Sequence, residues 1–526
     1  MKILVTDHID AAGIKILRAH ADVDVKTGQT AEQLRSIIAG YDALVVRSQT
    51  RVTADIIDAA GKLQVIGRAG VGVDNIDVEA ATRRGIIVVN SPEGNIVSTA
   101  EHTIAMLLAM ARRIPQANNL LHSGMWSRDF KGTEVRNKTL GIIGLGRVGT
   151  EVASLAKGLK MNIIAYDPMI AETRAERLGI KLVELDTLLK TADFLTVHVP
   201  LNPTTKGLIG EAQIKLMKPT AMVVNCARGG IIDEKALYEA VTEGKLAGAA
   251  VDVYSHEPAK DNILTRSDKI ITTPHIAAST VEAEASASTD VCEQVVAVLQ
   301  GFPPRSPVNA PTIAKEALSI IGPYLNVGTT IGRIAVQLME GKLKTLTIRY
   351  EGDIARQDTH PIKAAVLAGL LETLTEEKVN IVNADMIACQ RGLNVTEQKD
   401  ISCENYANMV TVQLDTTAGT TLVAGSSLRG KTHLTRVNGY WLEIEPTGGY
   451  MLFTEHKDRP GMIGMLGTLI GNADVNISQM QVSRGVHRGG GAMMAICLDE
   501  ALPEECYQKI KAIPDMYKAL LVKLSR

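Results

Sequence analysis

Aromatic side chains are scarce, with 4 Phe, 11 Tyr and 2 Trp making up 3% of 526 residues. The cores must therefore be aliphatic, and a 45% hydrophobic content is ample for that. The six cysteines, Cys226, Cys292, Cys389, Cys403, Cys497 and Cys506, show neither CxxC pairing nor the density of a disulfide scaffold. A reducing, cytoplasmic setting is expected, and no metal ion. No apolar run approaches the roughly 20 residues that span a bilayer; the longest, HTIAMLLAMA, reads as a buried helix. The opening MKILVTDHID has no basic stretch followed by an apolar one, so no secretory signal is expected. A net charge of −2 without basic clusters argues against nucleic acid or an anionic membrane as partner.

At about 150 residues per domain, the length suggests three or four domains. The first hundred residues alternate short apolar strands (KILVTD, DALVVRS, QVIGRAG, IIVVNS) with helical patterns, and a second alternating block runs from about 100 to 285. Two doubly wound lobes with a cleft between them are expected. GFPPRSPVNAP, with four prolines between 303 and 311, cannot continue a helix and reads as a boundary. Residues of about 312–446 mix helical and β-rich stretches, and TGGY then opens a βαββα tail.

The second block begins with TLGIIGLGRVGTEVASLAKGLKMNIIAYDP, in which an apolar strand runs into Gly144, Gly146 and Gly149 and then a helix. Gly144 permits a tight turn, Gly146 lets a pyrophosphate approach the backbone, and Gly149 lets helix and strand pack closely. The free N–H groups of the helix N-terminus suit phosphate. A second strand, NIIAY, ends in Asp167, placed to accept hydrogen bonds from both ribose hydroxyls; its charge would repel a 2′-phosphate, so NAD is expected over NADP.

Three further apolar runs, AMVVN, GAAVDVY and KIITTP, read as strands buried on both faces. At or just past their C-terminal ends stand Arg228 (NCARGG), Glu257 (DVYSHEP) and His275 (TPHIAAST), the edge where open parallel sheets bind ligands. Oxidising a secondary alcohol requires a base of near-neutral pKa at the hydroxyl, and His275 fits. Glu257 on its other ring nitrogen would fix the tautomer, and Arg228 offers a planar fork for a carboxylate.

GLGRVG with Asp167, NCARGGIIDE, AVDVYSHEP and TPHIAAST closely resemble the D-2-hydroxyacid dehydrogenase family, in particular its long-form members, and the resemblance covers essentially the whole chain. It implies an α/β fold of two Rossmann-like lobes, an intervening α+β domain and a C-terminal ACT (ferredoxin-like) domain. The implied division is 1–98 with 286–303 for substrate, 99–285 for NAD, 304–446 intervening and 447–526 ACT. It further implies NAD-dependent oxidation of 3-phosphoglycerate, opening serine synthesis, with Arg228, Glu257 and His275 as catalytic residues. NAD contacts carry over to Val71, Arg147, Val148, Pro168, Val199, Cys226, Asp252 and Ala278 beside the fingerprint. Arg47, Arg68 and Asn95 would hold the substrate, with Arg128 reaching in from a neighbouring subunit. The ACT module, a βαββαβ type that pairs across subunits, would take an amino-acid effector, L-serine, at that interface through His456, Asp458 and Asn476, in a homotetramer. Two alternatives stay open: another enzyme of the family, such as a glyoxylate or hydroxypyruvate reductase, and a nicotinamide-sensing binding protein.

Overall fold

The computed structural model describes residues 1–524 apart from 376 and 486–489. Its first sheet is five-stranded and parallel, in the spatial order Asp22–Val25, Lys2–Val5, Ala43–Val46, Val65–Arg68, Ile87–Asn90. The second is seven-stranded and parallel, ordered Ile270–Thr272, Gly248–Val251, Met222–Asn225, Phe194–Val197, Thr139–Ile143, Asn162–Tyr166, Lys181–Leu182. Strand order reverses at Thr139–Ile143 in the second sheet and at Lys2–Val5 in the first, the crevices where doubly wound sheets take ligands. The inner strands are buried on both faces, as their near-continuous Val, Ile, Leu and Ala runs require.

Two long helices join these lobes. Ile96–Arg112 contains the HTIAMLLAMA run, buries Thr103, Ile104, Met106, Leu107 and Met110, and lies against the second sheet. Val281–Leu299 returns to the first lobe, where Val291, Cys292 and Val295 complete the core behind the first sheet. That return explains Gly67 in the strand Val65–Arg68: a Cβ there would come within 2.6 Å of Val295 and 2.7 Å of Val291. Both crossings are continuous helices, so residues 98 and 286 lie within helical turns.

The proline-rich segment folds back along the first sheet, with the Val308 N–H donating to the Val88 carbonyl at 2.8 Å. Beyond it, helices Leu318–Leu338 and His360–Glu372 cover one face of a six-stranded mixed sheet whose edge strands are Asn394–Asp400 and Tyr440–Ile444. Gly332 and Gly369 let these helices cross closely, since a Cβ at Gly369 would meet the Thr329 carbonyl at 2.0 Å. The tail forms a four-stranded antiparallel sheet of βαββαβ order with helices Met462–Asn472 and Glu504–Lys511. Its last strand, Met516–Lys523, is absent from the βαββα pattern read in the sequence; MYKALLVK carries its apolar residues without strict alternation.

Candidate active site

Asn225, Val251 and Thr272 end three adjacent strands of the second sheet, and the loops that follow carry Arg228, Glu257 and His275 to one edge of the cleft. His275 Nδ1 lies 2.8 Å from Glu257 Oε2, while Glu257 Oε1 accepts the Tyr254 N–H at 3.1 Å. An ionised carboxylate only accepts, so Nδ1 carries the hydrogen and Nε2 of the neutral ring is left as a free acceptor. The hydrogen bond to Glu257 outweighs burial and raises the His275 pKa above 6.5. For Glu257, burial opposes the charge, but the hydrogen bonds from His275 and Tyr254 prevail and hold it below the ordinary carboxylate range.

Behind this pair lies Asp252, fully buried. Its carboxylate accepts the Thr273 hydroxyl at 2.6 Å and the Ile276 and Ala277 N–H groups at 2.9 Å each, on both sides of His275. His275 itself has a left-handed backbone, φ 55°, which these bonds stabilise. His102 Nε2, from the helix Ile96–Arg112, stands 3.5 Å from the same carboxylate and 3.3 Å from the Thr273 hydroxyl. Although burial disfavours the charge, the hydrogen bonds from His102, Thr273, Ile276 and Ala277 keep the Asp252 pKa low. Asp252 thus fixes the loop that aims His275. Nothing in the sequence ties position 102 to position 252, and only the helix crossing brings them together.

The fingerprint has the shape a dinucleotide needs. A Cβ on Gly144 would strike the His198 carbonyl at 2.5 Å, and one on Gly149 the Gly144 carbonyl at 2.1 Å, so the turn and the helix approach require both glycines. Gly146 faces open space, and no side chain caps the helix Arg147–Gly158 that it begins, leaving its first N–H groups for a phosphate. Asp167 accepts the Leu145 N–H at 2.8 Å and the Met169 N–H at 2.9 Å, which sets its carboxylate beside the glycine turn. Pro168 follows, exposed, and Val199 packs near Gly144. Val148 packs against the core of the second lobe, and Ala278 lies half-buried in the turn after His275. Arg147 reaches Glu93 of the first lobe at 3.3 Å. Cys226 follows the strand end at Asn225, its side chain buried in the second lobe's core and its thiol pushed up to about 12 by burial and Asp252.

From the first lobe, Arg47 and Arg68 stand at the ends of Ala43–Val46 and Val65–Arg68. Arg47 Nη2 pairs with Glu284 Oε1 at 2.8 Å, and Arg68 Nε donates to Asn75 Oδ1 at 3.0 Å. Burial, together with Arg228 and Arg47 nearby, lowers the Arg68 guanidinium to about 10. Arg228 leans across the cleft towards the glycine loop at Val71, where a Cβ on Gly72 would fall 2.5 Å from its Nη2, and its Nε lies 3.7 Å from Asp74. Arg47 and Arg68 of the first lobe and Arg228 of the second are thus near one another in the cleft. Asn95 caps the helix Ile96–Arg112 without using its side chain in the cap. Arg128 sits on an exposed stretch after His122.

In the fourth sheet, His456 is buried, its Nδ1 has no hydrogen-bond partner among the described residues, and burial lowers its pKa. Asp458 pairs with Arg484 at 3.3 Å at the same end of the sheet. Asn476 donates to Asp499 at 2.6 Å at the other end, next to Ile477, which the strand Gly491–Leu498 places level with Tyr450. Six residue steps along the strand separate Tyr450 from His456, about 20 Å. The three expected effector residues thus do not meet within one chain, because the tail's strands run the full length of the sheet between them.

Comparison with known proteins agrees with this geometry. Residues 104–277 match the model of the D-isomer specific 2-hydroxyacid dehydrogenase NAD binding domain. Residues 320–438 match the D-3-phosphoglycerate dehydrogenase intervening domain. A D-3-phosphoglycerate dehydrogenase of Methanocaldococcus jannaschii is 46% identical over 100% of both chains, and one of Synechocystis sp. is 45% identical over 99% of this chain and 95% of that one. Among solved structures, a D-lactate dehydrogenase of Aquifex aeolicus complexed with NAD and lactic acid superposes with a TM-score of 0.54 at 26% identity, over 59% of this chain and 100% of that one. The fold and the cleft define an NAD-dependent D-2-hydroxyacid dehydrogenase. Within that class, the chain belongs to the D-3-phosphoglycerate dehydrogenase family.

Proposed function

We propose that the chain oxidises 3-phospho-D-glycerate to 3-phosphohydroxypyruvate with NAD, the first step of serine synthesis, and that His275 is the base. The observation that carries this reading is the His275–Glu257 pair, with Arg228 on the same sheet edge and Arg47 and Arg68 on the other lobe of the cleft. His275 Nε2 takes the hydroxyl proton as the C2–H bond breaks, and Glu257 stabilises the imidazolium that forms. Arg228 holds the substrate carboxylate and offsets negative charge growing on the C2 oxygen. Arg47 and Arg68 bind the phosphate, with Asn95 beside them. Bound NAD supplies the acceptor for the hydride, its phosphates on the glycine turn and its ribose on Asp167.

The first lobe with the return helix then serves as substrate domain, the second as NAD domain, and the tail as an ACT-type regulatory domain. His456 and Asp458 of one copy can meet Asn476 only in another, which supports a homo-oligomer, a tetramer in this reading, with L-serine as effector. Arg128, exposed in the single chain, fits a contribution to a neighbour's cleft. Among the described residues no helix is long and apolar enough to cross a membrane, and a cytoplasmic setting remains part of the proposal.

The test is NADH formation with 3-phosphoglycerate against glycerate and lactate. Activity on the phosphorylated substrate is expected, falling by about 10²–10⁴ in His275→Ala while NAD still binds. Equal activity on all three substrates would sink the assignment of the arginines.

A further inference from the structure

Of the three cleft arginines, Arg47 alone has its guanidinium in close contact with a carboxylate. Glu284 Oε1 lies 2.8 Å from Arg47 Nη2, whereas Arg228 is 3.7 Å from Asp74 and Arg68 bonds the neutral amide of Asn75. The backbone around Arg47 is fixed independently. Its N–H donates to the buried Asp7 carboxylate at 2.6 Å and its carbonyl accepts from Asn75 at 2.8 Å. Only the side chain is thus left to change partners. Glu284 stands in the first turn of Val281–Leu299, the helix that returns from the lobe carrying His275. Both side chains are partly exposed, at 25% and 33%, so the pair can open to a competing anion.

We propose that Glu284 is a specificity-determining residue: its carboxylate occupies the Arg47 fork, and only a ligand bringing a phosphate displaces it. This rests on the reading of Arg47 as a phosphate-binding residue. The displacement sets the KM for a phosphorylated substrate without touching the chemistry at His275. It also favours a phosphate anchored at its other end by a carboxylate on Arg228 over inorganic phosphate, which must break the pair unaided. A substrate without phosphate leaves the pair closed.

Glu284→Gln keeps the shape and removes the charge. The KM for 3-phosphoglycerate is expected to fall by about two- to fivefold, the range for a partly exposed ion pair, with kcat and the KM for glycerate within twofold. Inorganic phosphate should inhibit the variant at correspondingly lower concentration. In an Arg47→Gln background the same substitution should no longer lower KM, because the coupling between the two residues is gone. An unchanged or raised KM in Glu284→Gln, or a fall that persists without Arg47, overturns the proposal. A readout independent of turnover is the stabilisation of the cofactor-free protein by inorganic phosphate, expected to be larger in Glu284→Gln than in the wild type. If the wild type does not oxidise 3-phosphoglycerate at all, the functional reading fails. The comparison of phosphate stabilisation then decides the role of Glu284 alone, and equal stabilisation counts against it.

Discussion

The cleft between the first two sheets and the seam between the last two are built on opposite principles. Across the cleft the lobes keep separate cores and face each other through charges: Arg147 with Glu93, Arg228 with Asp74, and Arg47 and Arg68 of the first lobe with Arg228 and the His275–Glu257 pair on the second. The third and fourth sheets share one apolar core, in which Met451, Phe453, Met493, Ala495, Cys497 and Val522 of the tail join Ile321, Val410 and Leu434. The seam is also tied by Gln337, whose side-chain amide donates to the Lys523 carbonyl and accepts its N–H, both at 2.9 Å. Solvated charges exchange partners at little cost, while a dry aliphatic seam does not open without exposing its area. The chain therefore keeps its adaptable interface where a substrate must enter, and fuses its C-terminal half into one body that docks on the first lobe through Asn380 and Asn383, which donate to Gly85 and Arg83.

That contrast can be broken most forcefully at the seam. Phe453→Ala removes a side chain that is 3% exposed and is expected to cost about 3–5 kcal/mol. Because the core is shared, denaturant unfolding followed by fluorescence of Trp441, on the third sheet, should shift although the substitution is in the fourth. A Trp441 transition that stays in place would show two independent cores. In the cleft, Arg68→Gln should leave stability nearly unchanged and raise the KM for 3-phosphoglycerate by about ten- to a hundredfold, the worth of a charge-assisted contact, with the KM for glycerate little altered. Equal losses on both substrates would show that Arg68 does not read the phosphate. The finest test is of pH. Oxidation needs neutral His275, so the rate rises with pH through its pKa, which Glu257 holds above 6.5. Glu257→Gln removes the anion that favours the imidazolium, and the acid limb of the kcat/KM profile should move to lower pH. A limb that stays put, or moves up, would assign the limb to another group.

The cofactor half of the site was largely legible in the sequence because its logic is local. Gly144, Gly146, Gly149 and Asp167 lie within one strand–helix–strand unit, and Gly149 answers a contact made inside that unit, with the Gly144 carbonyl, whereas Gly144 packs on His198, just past the adjacent strand Phe194–Val197. Arg228, Glu257 and His275 were legible for a related reason, since parallel strands deliver their C-terminal loops to one edge. The last strand of the tail was not legible from periodicity, because its pattern departs from alternation, and only the resemblance implied it; the effector residues were expected at an interface between subunits, and within one chain the sheet holds Asn476 apart from His456 and Asp458.

By itself, the sequence determined what local periodicity and strand-end position can encode: two doubly wound lobes, the dinucleotide turn, and the residue types at the sheet edges. Only the tertiary structure decided which distant groups share a charge or a core. It set His102 and Asp252 behind the His275 loop, Glu284 on Arg47, the Cys226 thiol inside the lobe, and the tail against the third sheet. The physical reason is that these contacts join segments far apart in the chain, brought together by helix crossings and sheet packing that no local pattern records.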